Sequence, residues 1–158
     1  MQDLDLRRLQ TDTFLEFARL ANIHQLRLIE LFARADLGNI TPQQSRALMV
    51  LFQARKPMTG RELSRQMGCS EVTISRFVKA LVQAHWVERN QDPNDGRAYL
   101  LTPTAKARDA LPRFVSVSND LLDQIFSGFS KAQIESLSGA MDRIRTNLQD
   151  DQSSSGSS

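Results

Sequence analysis

The stretch from Thr59 to Arg97, TGRELSRQMGCSEVTISRFVKALVQAHWVERNQDPNDGR, constrains the fold more than any other part of the chain. Thr59 offers an N-cap hydroxyl, and Glu62 three residues later completes a capping box. Leu63 and Met67 follow at helical spacing, and Gly68 suits the left-handed position that closes a helix. Ser70 caps a second helix over 71–84. Its Ile74, Phe77, Val78 and Leu81 fall at i, i+3, i+4 and i+7 and must pack inward. Val72, Ser75, Arg76, Lys79 and Gln83 lie on the opposite face, flanked by Glu71 and Thr73. A strand at Trp86–Arg89, dense turn chemistry at Asp92-Pro93-Asn94-Asp95-Gly96 and a return strand at Arg97–Leu101 complete a hairpin. Two capped helices joined by a tight turn and followed by a hairpin form a helix-turn-helix with a wing.

Charge singles out the same region. Residues 55–108 hold ten basic and five acidic side chains, whereas the remainder holds ten and thirteen. Positive charge concentrated on a helix-turn-helix points to a polyanion partner. Outward Ser, Arg and Lys side chains near a helix N-terminus can donate to base edges and phosphates. Arg97, at the hairpin tip, can reach a phosphate or enter a narrow minor groove. Asp95, two residues away, is placed to orient Arg89 or Arg97.

The flanking segments read as helix. Leu6, Leu9, Phe14, Phe17, Leu20, His24, Leu28, Leu31 and Phe32 mark a long helix over 4–35. A helix that long cannot bury its whole stripe in a small domain, so its first turns are expected to pack on another chain. Thr41-Pro42-Gln43-Gln44 starts the next helix with a cap, a first-turn proline and a capping-box glutamine. Thr102-Pro103 reads as a further cap, opening a helix to about Ser127 in which Pro112 should kink or break the rod. Leu111, Phe114, Val115, Leu121, Leu122, Ile125 and Phe126 are its apolar positions. Ser130 and Gln133 make a capping box, and Phe129 with Ile134 a hydrophobic staple. Ile134, Leu137, Met141, Ile144 and Leu148 then form a seam suited to a partner helix. Residues 150–158 have nothing to bury and read as a disordered tail.

The fold class expected is therefore mainly α with a small β-wing: a winged helix-turn-helix over 41–102 with helical dimerisation segments at 1–38 and 103–149. One cysteine excludes an internal disulfide and fits a reducing, cytoplasmic setting. No run approaches a membrane span. Nucleophile–base pairs, phosphate-binding glycine loops and metal-ligand spacings are missing from the sequence, so neither enzyme nor cofactor is expected.

This arrangement resembles the MarR family of transcription regulators from about residue 5 to 149. The resemblance is carried by Ser70-Glu71-Val72-Thr73-Ile74-Ser75-Arg76, by Val87-Glu88-Arg89 through Asp92-Pro93-Asn94-Asp95-Gly96-Arg97, and by Leu101-Thr102. It implies a homodimer with interleaved first and last helices, each chain offering a winged helix to half of a palindromic duplex. Ser70, Glu71, Val72, Thr73, Ser75, Arg76, Lys79 and Arg97 would then contact DNA, with Asp95 shaping the wing. It also implies repression, released by a small aromatic or lipophilic ligand in a cleft near His24, or by cysteine oxidation.

Three departures mark this chain. His85 replaces a common glycine after the recognition helix, the return strand is two residues shorter than usual, and Ala105 replaces a glycine after Leu-Thr. The shorter strand is a full β period and removes up to ~7 Å of wing at ~3.3 Å per residue. Cys69 stands away from the first helix, where the family's thiol sensors carry their cysteine, and reads as a turn-packing residue. The alternative to a DNA-binding regulator is a winged helix used as a protein-interaction module.

Overall fold

In the computed structural model, residues 2–154 are described, with side chains over 3–149. The chain runs α1 (Gln2–Arg34), α2 (Pro42–Gln53), β1 (Met58–Thr59), α3 (Gly60–Met67), α4 (Glu71–Gln83), β2 (Val87–Asp92), β3 (Asp95–Pro103), α5 (Ala105–Ile125) and α6 (Lys131–Ser154). The mainly helical winged helix expected from the sequence is present. Contacts divide the chain into two units at Ser118, inside α5. The tail expected over 150–158 falls on positions whose side chains, and from 155 onward also the backbone, lie outside the described residues.

The first unit holds the core. Ala47, Leu48 and Leu51 of α2, Leu63 and Met67 of α3, and Ile74, Val78 and Leu81 of α4 are buried together with Val87 and Leu101 of the sheet. Phe114 of α5 anchors it: Phe32 and Trp86 meet its ring edge-on, at centroid distances of 6.0 and 5.7 Å. Such edge-to-face pairs add to the area that three large rings remove from water. The last turns of α1 and the first half of α5 thus share the core of the winged helix. Arg113 fastens this junction, donating to the carbonyls of Ala35 and Asp36 at the end of α1. There Asp36 adopts φ 58° and turns the chain.

The earlier turns of α1 bury almost nothing. Leu4, Leu6, Leu9, Phe14, Leu15, Phe17, Leu20, Ile23 and Leu26 are between 46% and 75% exposed. His24 is exposed among them.

The sheet is antiparallel, in the order β1-β3-β2. Strand β1 has two residues, too short for any alternation to announce it, and pairs Met58 with Leu101 and Thr59 with Leu100. Strands β2 and β3 run further into the hairpin than the turn residues suggest, so the loop shrinks to Pro93-Asn94.

Two expectations about α5 are corrected. Its cap is Thr104, whose Oγ1 accepts the Ala107 N–H at 3.2 Å, not Thr102. Thr102 and Pro103 instead pair with Glu88 and Val87 at the end of β3. The strand ladder, a long-range partner, outcompetes a local cap, and a proline is tolerated there because the pairing ends with it. Of the kink or break expected at Pro112, the break is excluded, since α5 is continuous from Ala105 to Ile125. Pro112 and Arg108, the residue whose carbonyl loses its helical donor, are both exposed, so water can serve that carbonyl. The buried residues of α5 are Ala107, Ala110, Phe114, Val117 and Leu121, while Val115, Leu122 and Ile125 are exposed.

In the second unit, the Ser130–Gln133 capping box forms as expected: Ser130 N–H donates to Gln133 Oε1 at 2.8 Å and Gln133 N–H to Ser130 Oγ at 3.3 Å. Leu137, Met141, Ile144 and Leu148 are exposed along one stripe of α6.

Candidate nucleic-acid interface

Helix α3, which leads into the turn before α4, is held at both ends by hydrogen bonds. At its start, Glu62 N–H donates to Thr59 Oγ1 at 3.2 Å and Thr59 N–H to Glu62 Oε2 at 2.7 Å. The Thr59 N–H first, and second the Thr59 hydroxyl, which donates to Glu62 Oε2 at 3.1 Å, hold the Glu62 carboxyl below its ordinary range. At its end Gly68 takes φ 65°, which lets Cys69 N–H reach Ser64 O at 3.2 Å. Ser64 Oγ donates to Cys69 O at 2.7 Å, and Cys69 Sγ lies 3.6 Å from Met67 O. Cys69 is half-buried as part of this turn. Arg46 reaches across from α2 to the same Met67 carbonyl at 3.3 Å, so its guanidinium braces the turn.

Helix α4 starts on Ser70. Thr73 N–H donates to Ser70 Oγ at 3.2 Å, and Ser70 Oγ donates to Thr73 Oγ1 at 2.9 Å. The hydroxyls of Ser70 and Thr73 are therefore engaged in building the helix end. Glu71, Val72, Ser75, Arg76 and Lys79 are exposed on one face, with Val72 73% exposed. Glu71 is paired: Arg61 Nε of α3 lies 3.2 Å from its Oε1.

The far end of α4 meets the expected difficulty at His85 directly. His85 adopts φ 60°, a left-handed conformation that histidine tolerates better than a β-branched residue. Two side chains from the start of α5 secure it. Thr104 Oγ1 donates to His85 O at 2.7 Å, and Lys106 Nζ to Ala84 O at 2.8 Å. Lys106 also stands 4.4 Å over the Trp86 ring.

The wing tip is ordered by its acidic and amide side chains. Asn94 N–H donates to Asp92 Oδ1 at 2.9 Å, Arg97 N–H to Asp95 Oδ1 at 3.0 Å, and Gln91 Nε2 to Gly96 O at 2.8 Å. Asp95 thus orients Arg97 through the main chain; among the described residues neither Arg97 nor Arg89 has a carboxylate within 4.0 Å of its guanidinium. Gln91 pairs with Tyr99 but Asp92 with Asp95, so Gly96, Arg97 and Ala98 bulge out of the ladder and Arg97 is exposed at the tip.

Between α4 and the wing lies an open cleft of about 530 Å³. Arg61, Glu71 and Ser75 line one side, and Arg89, Asp95, Arg97 and Tyr99 the other. Arg61 and Tyr99 join the site only through the fold. Each is one polar or aromatic side chain on a short element, with its significance set by the fold.

His24 lies elsewhere, exposed on α1, with Arg27 three residues on in an ion pair with Glu30 at 2.7 Å. A separate groove of about 370 Å³ is lined by Gln25, Ile29, Phe32, Asn39, Ile40 and Pro42, and His24 is not part of its wall. No described helix is long and apolar enough to cross a membrane.

The architecture defines a winged helix-turn-helix protein. The MarR family model matches residues 40–99. An uncharacterized HTH-type transcriptional regulator of Bacillus subtilis, YcgE, is 30% identical over 92 residues. That match spans 58% of this chain and 59% of the relative's length. Among solved structures, a MarR/EmrR family transcriptional regulator from Acinetobacter superposes with a TM-score of 0.79 at 20% identity, covering 90% of this chain and 98% of that one. MepR of S. aureus, solved as a DNA complex, gives 0.76 at 16% identity, covering 85% and 96%.

Proposed function

We propose that this chain is a dimeric, sequence-specific DNA-binding transcriptional regulator that acts in the cytoplasm. The observation that carries the reading is the exposed face of α4, with Arg76 and Lys79 unpaired among the described residues, beside a wing that projects Arg97 from a bulge. An α-helix fits the major groove, where a guanidinium can read guanine O6 and N7 together. A basic hairpin tip beside it suits the adjoining minor groove or its phosphates. Ser75, Arg76 and Lys79 are the base- and phosphate-facing residues, and Glu71 and Val72 shape the approach. Ser70 and Thr73 act by holding the helix end that points at the DNA. The DNA complex of MepR, which shares this fold, supports the reading.

The exposed apolar residues of α1 and α6 support a homodimer built through these helices. Two winged helices would then meet half-sites about one helical turn apart, ~34 Å, on a palindromic duplex. The regulator is a repressor released by a small aromatic or lipophilic ligand. The groove beside Ile29, Phe32 and Ile40 supports this part, since ~300–1,000 Å³ is the usual range for small-molecule sites.

The test is selection of genomic fragments bound by the chain, followed by titration of Arg76→Ala on the recovered site. Loss of roughly 1–3 kcal/mol is expected for one base-reading arginine. Equal affinity of the altered and unaltered chains for that site would refute the assignment.

A further inference from the structure

Three arginines border the cleft between α4 and the wing, and they differ in what holds them. Arg61 pairs with Glu71 at 3.2 Å, which offsets its charge. Arg97 rides on the bulge at the tip. Arg89 has no carboxylate within 4.0 Å among the described residues, and its guanidinium carbon lies 4.4 Å from the centroid of the Tyr99 ring. The pairing register explains the contact. Arg89 faces Leu101, so Tyr99 is its diagonal neighbour on the same face of the hairpin, within reach for an aromatic and a long side chain. Tyr99 is 48% exposed, and its hydroxyl bonds to no described residue. The ring face is what it offers.

Duplex geometry states what meets this pair. With α4 in a major groove and the wing at the adjoining minor groove, the sugar-phosphate strand that divides the two grooves must cross the cleft between them. A cation inside the cleft then faces phosphates and not base edges. Arginine is a long side chain with much rotamer freedom, and a planar stack on an aromatic face orders its fork before a phosphate arrives. We propose that Arg89 is a backbone-phosphate contact and that Tyr99 is the residue that positions it. The proposal rests on the DNA-binding reading above and adds to it a residue pair. It assigns Arg89 a contact separate from that of Arg97, because Arg97 sits on the bulge at the tip and Arg89 pairs with Leu101 further from it.

The experiment measures the affinity of the full chain for a fluorescein-labelled duplex of random sequence, by anisotropy, across a series of salt concentrations. Each phosphate contact contributes roughly 0.9 to the slope of log K against log salt. Arg89→Ala should make the slope shallower by about 0.9 per bound chain, and Arg89→Lys should keep it. Tyr99→Ala should keep the slope and weaken binding by about two- to five-fold, the scale of an exposed cation–π contact. Tyr99→Phe should restore what Tyr99→Ala loses. In the Arg89→Ala background Tyr99→Ala should cost nothing more. Both side chains are exposed, so the variants are expected to fold, and thermal melts by circular dichroism check that they do. An Arg89→Ala slope equal to that of the unaltered chain, or additive losses in the double variant, would overturn the proposal and leave the DNA-binding reading standing. An unaltered chain whose affinity does not fall with salt would overturn both.

Discussion

Helix α4 and the first turns of α1 are both amphipathic, yet the fold treats their apolar faces in opposite ways. Ile74, Val78 and Leu81 of α4 are buried, its first turn is capped, and its last turn is secured by Thr104 and Lys106. In α1 nine large apolar side chains between Leu4 and Leu26 stay open. The first helix is finished within one chain. The second is long, regular and unsatisfied, which is the pattern of a surface that another chain completes. On the function proposed above, the contrast separates an element that faces DNA, rigid by local construction, from one that would acquire its packing on association.

The largest effects should fall on the finished side. Phe114→Ala removes the ring on which Phe32 and Trp86 converge, and should cost about 3–5 kcal/mol in denaturant unfolding. Loss of less than 1 kcal/mol would break the claim that this cluster anchors the core. Phe14→Glu with Leu9→Glu is the converse change. It should lower the mass seen by sedimentation from dimer to monomer while the far-ultraviolet spectrum keeps its helical form. A dimer that survives both charges would place the pairing surface elsewhere.

Smaller effects sharpen the local argument. Thr59→Ala removes the α3 cap and should cost ~1 kcal/mol. The Glu62 carboxyl supplies a pH test. Its folded-state value is lowered, so its contribution is present above the ordinary carboxylate value of 4.5 and is lost as pH falls through the lower folded value. Glu62→Gln should therefore lower stability at neutral pH and flatten the acid limb of the stability curve below pH 4.5. An acid limb identical in both proteins would show that the capping carboxylate is not linked to folding.

What could be read from the sequence follows the same division. Thr41, Thr59, Ser70 and Ser130 announced their helices because a cap and its partners lie within three residues. Gly68 announced a left-handed turn for the same local reason, whereas His85 was placed in one only by the family resemblance, and both occur at φ near 60°. The stripe of α4 was legible because large aliphatic residues repeat at helical spacing. The rest depended on partners distant in sequence. Thr102 looks like a cap until β2 claims it, and Thr104 then caps α5. Ala107 and Ala110 are buried, but alanine does not stand out in an apolar pattern. Pro112 reads as a break because the exposure that relieves it belongs to the folded helix. Asp95 was recognisable as a wing residue, whereas its bond to the Arg97 main chain, and the stack of Arg89 on Tyr99, follow from the hairpin register.

The central claim is that α4 and the wing form one cationic face for duplex DNA. It is tested most directly by the affinity of the unaltered chain for a duplex, measured as salt is raised. The account predicts a linear fall of log K with log salt whose slope grows with the phosphates neutralised, about 0.9 for each. An affinity that does not change with salt, or no binding to duplex at low salt, would contradict it.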